Sequence, residues 1–226
     1  MNAWLNKLTE TFLTSGYYKL MLEGLQNTVI ITLGALVIGV VIGTVIAVVK
    51  YLAEDNKALA PAAWLCDAYV KIIRGIPVVV LLLIFYLIIF SSSEGTEVAV
   101  LTFGVNSGAY MAELIRSGIH AVDAGQMEAG RSLGLSRLQA MKRVIFPQAI
   151  RYILPAIGNE FIALLKETSV AGYVAVVDLT RAGNLVRNNT FDAFNPLMLV
   201  ALTYLTLVLA LTAALERFEK KLNKGR

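Results

Sequence analysis

Residues Val29 to Val49 contain no charged side chain. A bilayer crossing needs about 20 apolar residues, and this run is long enough. Inside hydrocarbon every backbone N–H and C=O must be satisfied within the segment, so the run must be helical. Other stretches repeat the pattern less cleanly. Ile76 to Phe90 is uncharged but short, and extends backwards through Trp64 to Ile73, which puts Arg74-Gly75-Ile76-Pro77 inside a helix. Val98 to Ile119 is interrupted by Asn106, Ser107, Glu113 and Arg116, and Ile153 to Val177 by Glu160, Lys166 and Glu167. Pro196 to Leu215 is a clean apolar run with no charged side chain. The chain reads as an all-α polytopic membrane protein with five transmembrane helices, a single transmembrane domain over residues 1–226. Composition agrees. Hydrophobic residues make up 57% and charged residues 16%, against about half and a quarter in soluble domains. No length is left for a separate soluble catalytic domain. Cys66 and His120 are each the one residue of their type. That excludes a disulfide framework and any Cys/His metal site within the chain.

Lysine and arginine concentrate on the cytoplasmic side of membrane proteins. The first connection holds four (Lys50, Lys57, Lys71, Arg74), the third six (Arg116, Arg131, Arg137, Lys142, Arg143, Arg151) and the tail five. The N-terminal segment holds two (Lys7, Lys19), the second connection, Ser91 to Glu97, none, and the fourth two (Arg181, Arg187). This asymmetry places the first and third connections and the C-terminus in the cytoplasm and the N-terminus outside, as an odd number of spans requires. The N-terminal segment carries Lys7, Glu10, Lys19 and Glu23 and shows no cleavable signal peptide. Trp4, Leu8 and Phe12 recur every four residues, so residues 1–18 read as an amphipathic helix on the outer membrane surface, ended by Gly16. A frayed terminus is the alternative.

The cytoplasmic connection, residues 120–150, is too long for a turn. Asp123 precedes Gln126 by three residues, and Ser136 precedes Gln139 by three. Both pairs fit a capping box. Gly134 stands between them, where a left-handed residue ends a helix, and Pro147 ends the second helix or begins the next element. The loop therefore reads as helix, glycine turn, helix, with Leu138, Met141 and Ile145 on one face of the second helix. Such a rigid basic pair is a docking surface, or else a loop that only packs under its own bundle.

These residues resemble a known family. Glu128-Ala129-Gly130-x-x-x-Gly134, followed by Val144-x-Phe146-Pro147, is similar to the E-A-A-x-x-x-G…I-x-L-P loop of ABC importer permeases. Gly130, Val144 and Phe146 depart from it as Gly for Ala, Val for Ile and Phe for Leu, and Gly130 loosens the helix. Further segments resemble the polar amino-acid branch: Arg74-Gly75-Ile76-Pro77, Asn106-Ser107-Gly108-Ala109-Tyr110 with Glu113 and Arg116, Pro147-Gln148-Ala149, and Lys166-Glu167-Thr168-Ser169. Leu81 replaces a Gln common in that branch. The likeness spans Gly24 to Glu216. It implies a type I ABC importer fold, with a cytoplasmic coupling helix seated in an ATPase subunit through Glu128, Ala129, Gly130, Gly134, Leu138, Met141 and Pro147. It also implies a second permease subunit, identical or homologous, and an extracytoplasmic solute-binding protein. ATP would be bound by the partner ATPase, with no cofactor in this chain, in a bacterial cytoplasmic membrane.

An ionisable group at the bilayer centre costs roughly 2.5–3.5 kcal/mol on insertion scales, so each needs a partner or a wet cavity. Glu113 and Arg116, one helical turn apart, read as a structural ion pair, and Lys166 with Glu167 as a second. With Lys166 assigned to Glu167, Glu160 has no obvious opposite charge on its own helix and is a candidate acceptor for an amino-acid ammonium. Asn106 and Ser107, flanked by Gly104 and Gly108, are candidate donors to a carboxylate. Arg74 has two readings: it marks a helix broken before Pro77 and joins the path, or it snorkels to cytoplasmic headgroups. Gly39 and Gly43 form a packing motif.

No phosphate-binding G-x-x-x-x-G-K-[ST] loop occurs, so this chain does not hydrolyse ATP alone and is not an enzyme. An ATP-independent secondary transporter or channel for small polar solutes is the rival. It predicts paired halves, and no internal repeat is seen. An intramembrane hydrolase needs a nucleophile and a base at membrane depth, yet His120 lies in the loop and no G-x-S-x-G occurs.

Overall fold

A computed structural model describes residues 9–223, and every regular element among them is helical. In chain order these are α1 (Tyr17–Ala53), α2 (Ala60–Gly75), α3 (Val78–Ile84), α4 (Gly95–His120), α5 (Ala124–Ser132), α6 (Arg137–Ala140), α7 (Phe146–Glu167), α8 (Leu179–Thr190) and α9 (Phe194–Asn223). Short π segments cover Glu10–Thr14, Phe85–Ile89 and Met141–Ile145, and 3-10 segments cover Lys57–Leu59 and Thr168–Val174.

By length and composition α1, α4 and α9 can each cross a membrane, and α2 with the Val78–Ile89 segment adds a fourth, bent, candidate. The bend bears out the break expected before Pro77, and it divides the stretch expected to run as one helix through Arg74 to Pro77 into two. Helix α2 ends at Gly75, Pro77 caps α3, and the two parts meet at 105°. Proline disfavours helical geometry in the residue before it and has no N–H to donate, so the chain turns there. The stretch read as Ile153 to Val177 is α7 followed by the Thr168–Val174 segment, and it is not apolar enough to count as a candidate span. Pro155 lies inside α7, where Asn159 Nδ2 donates to its carbonyl at 3.1 Å.

The chain divides into two compact units. The first comprises Met1–Leu36, Ile76–Gly104 and Ala163–Ala210. Its core packs Ile31, Leu82, Phe103, Leu164 and Val174, all out of solvent contact, against Ala35, Ala99 and Ala171. A neighbouring cluster holds Phe12, Met21, Leu179, Ala182, Val186 and Val200. Phe12 is thus a core residue, not part of a surface-bound face, because its ring finds apolar cover beside Met21 and Leu179. Trp4 and Leu8, the other members of that expected stripe, lie outside the described residues. Buried Asp178 caps α8, accepting from the amides of Thr180 (2.9 Å) and Arg181 (3.2 Å). Burial pushes its carboxyl up, and those backbone hydrogen bonds oppose the shift. Thr28 Oγ1 accepts from the Leu179 amide at 3.1 Å, and Asn27 Nδ2 donates to the Val177 carbonyl at 2.9 Å. The polar start of α8 is therefore satisfied within an apolar unit.

The second unit comprises Val37–Gly75, Val105–Ile162 and Leu211–Arg226. Here Gly39 and Gly43 let α1 approach α4 closely. A Cβ on Gly39 would lie 2.8 Å from Ser107 Oγ, and one on Gly43 would lie 2.7 Å from the Ala112 amide nitrogen. An apolar cluster of Ile115, Val122, Ile145, Ala149 and Ile153, with Met127 and Met141 against it, holds the loop segments to α4 and α7. Lys50 Nζ pairs with Asp67 at 2.6 Å, and the Tyr69 hydroxyl donates to the Val105 carbonyl at 2.6 Å.

Candidate functional site

Two groups of residues carry chemistry, all within the second unit except Lys166 and Glu167, which belong to the first. The first is the loop between α4 and α7. Helix α5 starts at Asp123, whose Oδ1 accepts from the Gly125 amide at 2.7 Å. The expected capping box with Gln126 is not made: Gln126 Oε1 instead accepts from Gln148 Nε2 at 3.2 Å. The box at α6 is complete, with the Gln139 amide donating to Ser136 Oγ (3.2 Å) and the Ser136 amide to Gln139 Oε1 (2.9 Å). Between the two helices Gly134 takes φ +83°. The Leu135 amide reaches back to the Gly130 carbonyl (3.1 Å) and the Gly134 amide to the Arg131 carbonyl (3.0 Å). This paired pattern is a Schellman cap, and the left-handed residue it requires is costly for any residue with a Cβ. Gly130 is buried, and a Cβ there would sit 3.2 Å from Ala140 Cβ. The small residue thus permits close contact between the loop's two helices.

Glu128 is the fifth residue of α5 and lies outside its first turn. It is exposed, as is Ala129. A helix dipole favours a carboxylate only within the first turn, so Glu128 gains nothing from it. Leu138 is 62% exposed, whereas Met141 and Ile145 turn into the apolar cluster. The expected single face is split between α6, which carries Leu138, and the π segment Met141–Ile145 that follows it. Phe146 N–H donates to the Met141 carbonyl across that wide turn. Pro147 is the second residue of α7, so it stands at the beginning of the next element, as one of its two expected readings had it. Leu133, 84% exposed, stands beside the glycine turn. The outward surface of the loop therefore presents Glu128, Ala129, Leu133 and Leu138.

Arg137, which the sequence pattern left without a role, fixes this loop to the end of α1. Its guanidinium pairs with Glu54 and Asp55 and lies 5.2 Å from the centre of the Tyr51 ring. Burial opposes its charge, but the hydrogen bonds to Asp55 and Glu54 raise it above the usual arginine value. The signal was present in the sequence as two adjacent carboxylates closing a basic connection. Beside these groups lies a cavity of about 820 Å³, lined in part by Lys50, Tyr51, Trp64, Asp67, Arg116 and Met127.

The second group lies on α2, α4 and α7. Ser107 is fully buried and donates to Glu160 Oε1 at 3.4 Å; Asn106 is 4% exposed beside it and Glu160 is half-buried. The fold thus brings together one residue of α4 and one of α7 that lie 53 positions apart. Arg74 is exposed, and its guanidinium lies 5.1 Å from the centre of the Tyr110 ring, one turn along α4 from Ser107. Glu113 accepts from Arg116 Nε at 3.1 Å through Oε2 and from its Nη2 through Oε1. Lys166 is exposed and Glu167 half-buried. Adjacent helix positions point about 100° apart.

Residues 39–224 match the model of the family described as the binding-protein-dependent transport system inner membrane component. The chain belongs to this family of ABC importer permeases, in its amino-acid branch. It is 34% identical to the arginine transport system permease protein ArtQ of Bacillus subtilis over 91% of this chain and 93% of that one. It is similar to a chain in the crystal structure of an amino acid ABC transporter with histidines, at 38% identity and a TM-score of 0.85, covering 92% of this chain and 96% of that chain. An inward-facing structure of the MetNI methionine ABC transporter shares the fold, with a TM-score of 0.77 at 23% identity. The chain is thus a multi-pass inner-membrane transport subunit and not an enzyme. Dependence on a binding protein implies ATPase and solute-binding partners, and the family typically has no cofactor.

Proposed function

We propose that this chain, paired with a second permease subunit, forms the membrane path of an importer that carries polar amino acids by alternating access. An ATPase docks from the cytoplasm and a solute-binding protein delivers substrate from outside. In this reading α7, with its polar residues turned to the path, is the fourth of five spans, and the bent α2–α3 pair is the second. The N-terminus is outside and the C-terminus cytoplasmic. Glu128, Ala129, Gly130, Gly134, Leu138, Met141 and Pro147 build or frame the coupling surface. Glu160 receives the ammonium of the substrate, Asn106 and Ser107 its carboxylate, and Arg74 lines the cytoplasmic end. Glu113 with Arg116, and Lys166 with Glu167, are structural charges.

The observation that carries this reading is the built loop: a Schellman cap at Gly134 and a capping box at Ser136 hold a rigid surface of exposed Glu128, Ala129, Leu133 and Leu138. An unpartnered flexible connection has no use for either device. The test is Gly134→Val, which forces a branched side chain into φ +83°. The variant is expected to insert in the membrane but to lose ATP hydrolysis stimulated by the loaded binding protein. Normal stimulated hydrolysis would remove the coupling role. Uptake into proteoliposomes with a panel of labelled amino acids identifies the substrate.

A further inference from the structure

The geometry points to Arg137 as a positioning residue, the strut through which movement of the docking loop reaches α1. This rests on the coupling role proposed for that loop. Three observations converge on the one side chain. Arg137 is the first residue of α6, directly after the capped Ser136, so its backbone is fixed by the loop's own box. Its guanidinium takes one carboxylate on each terminal nitrogen, Nη2 to Glu54 and Nη1 to Asp55. The same plane lies over the Tyr51 ring, 5.2 Å from its centre. A planar fork that grips two adjacent carboxylates and stacks on an aromatic face fixes direction as well as distance, which a lysine cannot do.

The surroundings explain why this contact matters. Glu54, Tyr51 and Arg137 all line the cavity of about 820 Å³, together with Ala47 and Ala53 of α1 and Met141 of the loop. Close to Ala47 the loop and α1 share apolar packing in the Ile115–Ile145 cluster. Towards the end of α1 the cavity replaces packed side chains, so the ion pairs bridge it. Exposed ion pairs contribute little to stability, and Glu54 and Asp55 are 56% and 60% exposed. Their value therefore lies in orientation: the loop, pushed or turned by its partner, carries the end of α1 with it. Helix α1 in turn holds Gly39 against Ser107, so displacement of α1 reaches the polar pair in the membrane.

The experiment uses the full transporter, reconstituted with its ATPase and loaded binding protein. The Glu54→Gln/Asp55→Asn variant keeps side-chain size and removes both charges. Assembly and basal ATP hydrolysis stay unchanged, while stimulated hydrolysis and uptake fall about fivefold or more, the lower end of usual coupling factors. Arg137→Glu uncouples as well, and Glu54→Arg placed in that background restores part of the stimulation. Full stimulation in Glu54→Gln/Asp55→Asn overturns the proposal. So does loss of assembly or basal hydrolysis in parallel with stimulation, which marks a stability role, and so does failure of the exchanged pair to recover. Gly134→Val measured alongside separates the two claims. If it too leaves stimulation intact, the docking role falls; if it uncouples while Glu54→Gln/Asp55→Asn does not, the strut alone falls.

Discussion

Ser107 and Glu160 hold a polar pair where polarity is expensive. A hydroxyl without a partner in an apolar setting costs roughly 1–3 kcal/mol in protein measurements, and Ser107, with no exposed surface, meets that cost by donating to Glu160. The carboxylate is half-buried and so retains room for a second donor, such as a substrate ammonium. Glu160→Gln keeps an oxygen for Ser107 and removes the charge. Assembly and basal ATP hydrolysis are then expected to hold, while uptake falls most at low substrate concentration, as a raised half-saturation value. Uptake curves for the variant and the parent check this. Unchanged curves take Glu160 out of the path and leave selectivity to the external binding protein. Loss of the assembled complex instead makes Glu160 structural.

At the scale of elements, the close approach of α1 to α4 depends on Gly39 and Gly43. A side chain at Gly39 meets Ser107 Oγ at 2.8 Å, Ser107 Cβ at 2.9 Å and the Gly108 amide at 3.3 Å, and none of these is the loose end of a flexible group. Overpacking of this kind costs about 1–3 kcal/mol, so Gly39→Val lowers the unfolding temperature of the purified protein and moves Ser107 away from Glu160. Gly75→Ala is the control, since nothing lies within 4 Å of the added atom. Equal melting of the two variants would refute the packing role. The long helices were legible because uninterrupted apolar runs such as Val29 to Val49 leave hydrocarbon no other backbone solution. The Gly134 turn and the Ser136 box were legible because caps depend on residues three or four apart. The π segment at Met141–Ile145 was not, since an i→i−5 turn leaves no distinct composition. Helix α8 was also missed. Asp178 before Leu179 is an ordinary cap signal, but the helix is short and its partners Thr28 and Asn27 lie about 150 positions away.

For the molecule as a whole, orientation decides whether the loop at Gly134 meets an ATPase at all. The apolar exterior of α9, with Leu202, Leu205 and Leu209 each at least half exposed, is equally content in either orientation, so burial does not set it. Charge does. Lysine and arginine resist transfer across the membrane, and short connections rich in them stay on the cytoplasmic side. The third connection holds six such residues, while Ser91 to Glu97 holds none. Ion pairing does not cancel the bias: Arg137 and Arg116 have acidic partners, but acidic residues count little in this rule. A reporter active only in the cytoplasm should therefore work when fused after Arg226 or inserted between Ser136 and Arg143, and stay silent at Ser92. Insertion at the first site breaks the capping box, so the C-terminal fusion is the reading that leaves the fold intact. Activity at Ser92 with silence at the C-terminus would reverse the topology. It would place the capped loop, with Glu128 and Leu138, on the face where no ATP is available, and the coupling assignment would fall with it.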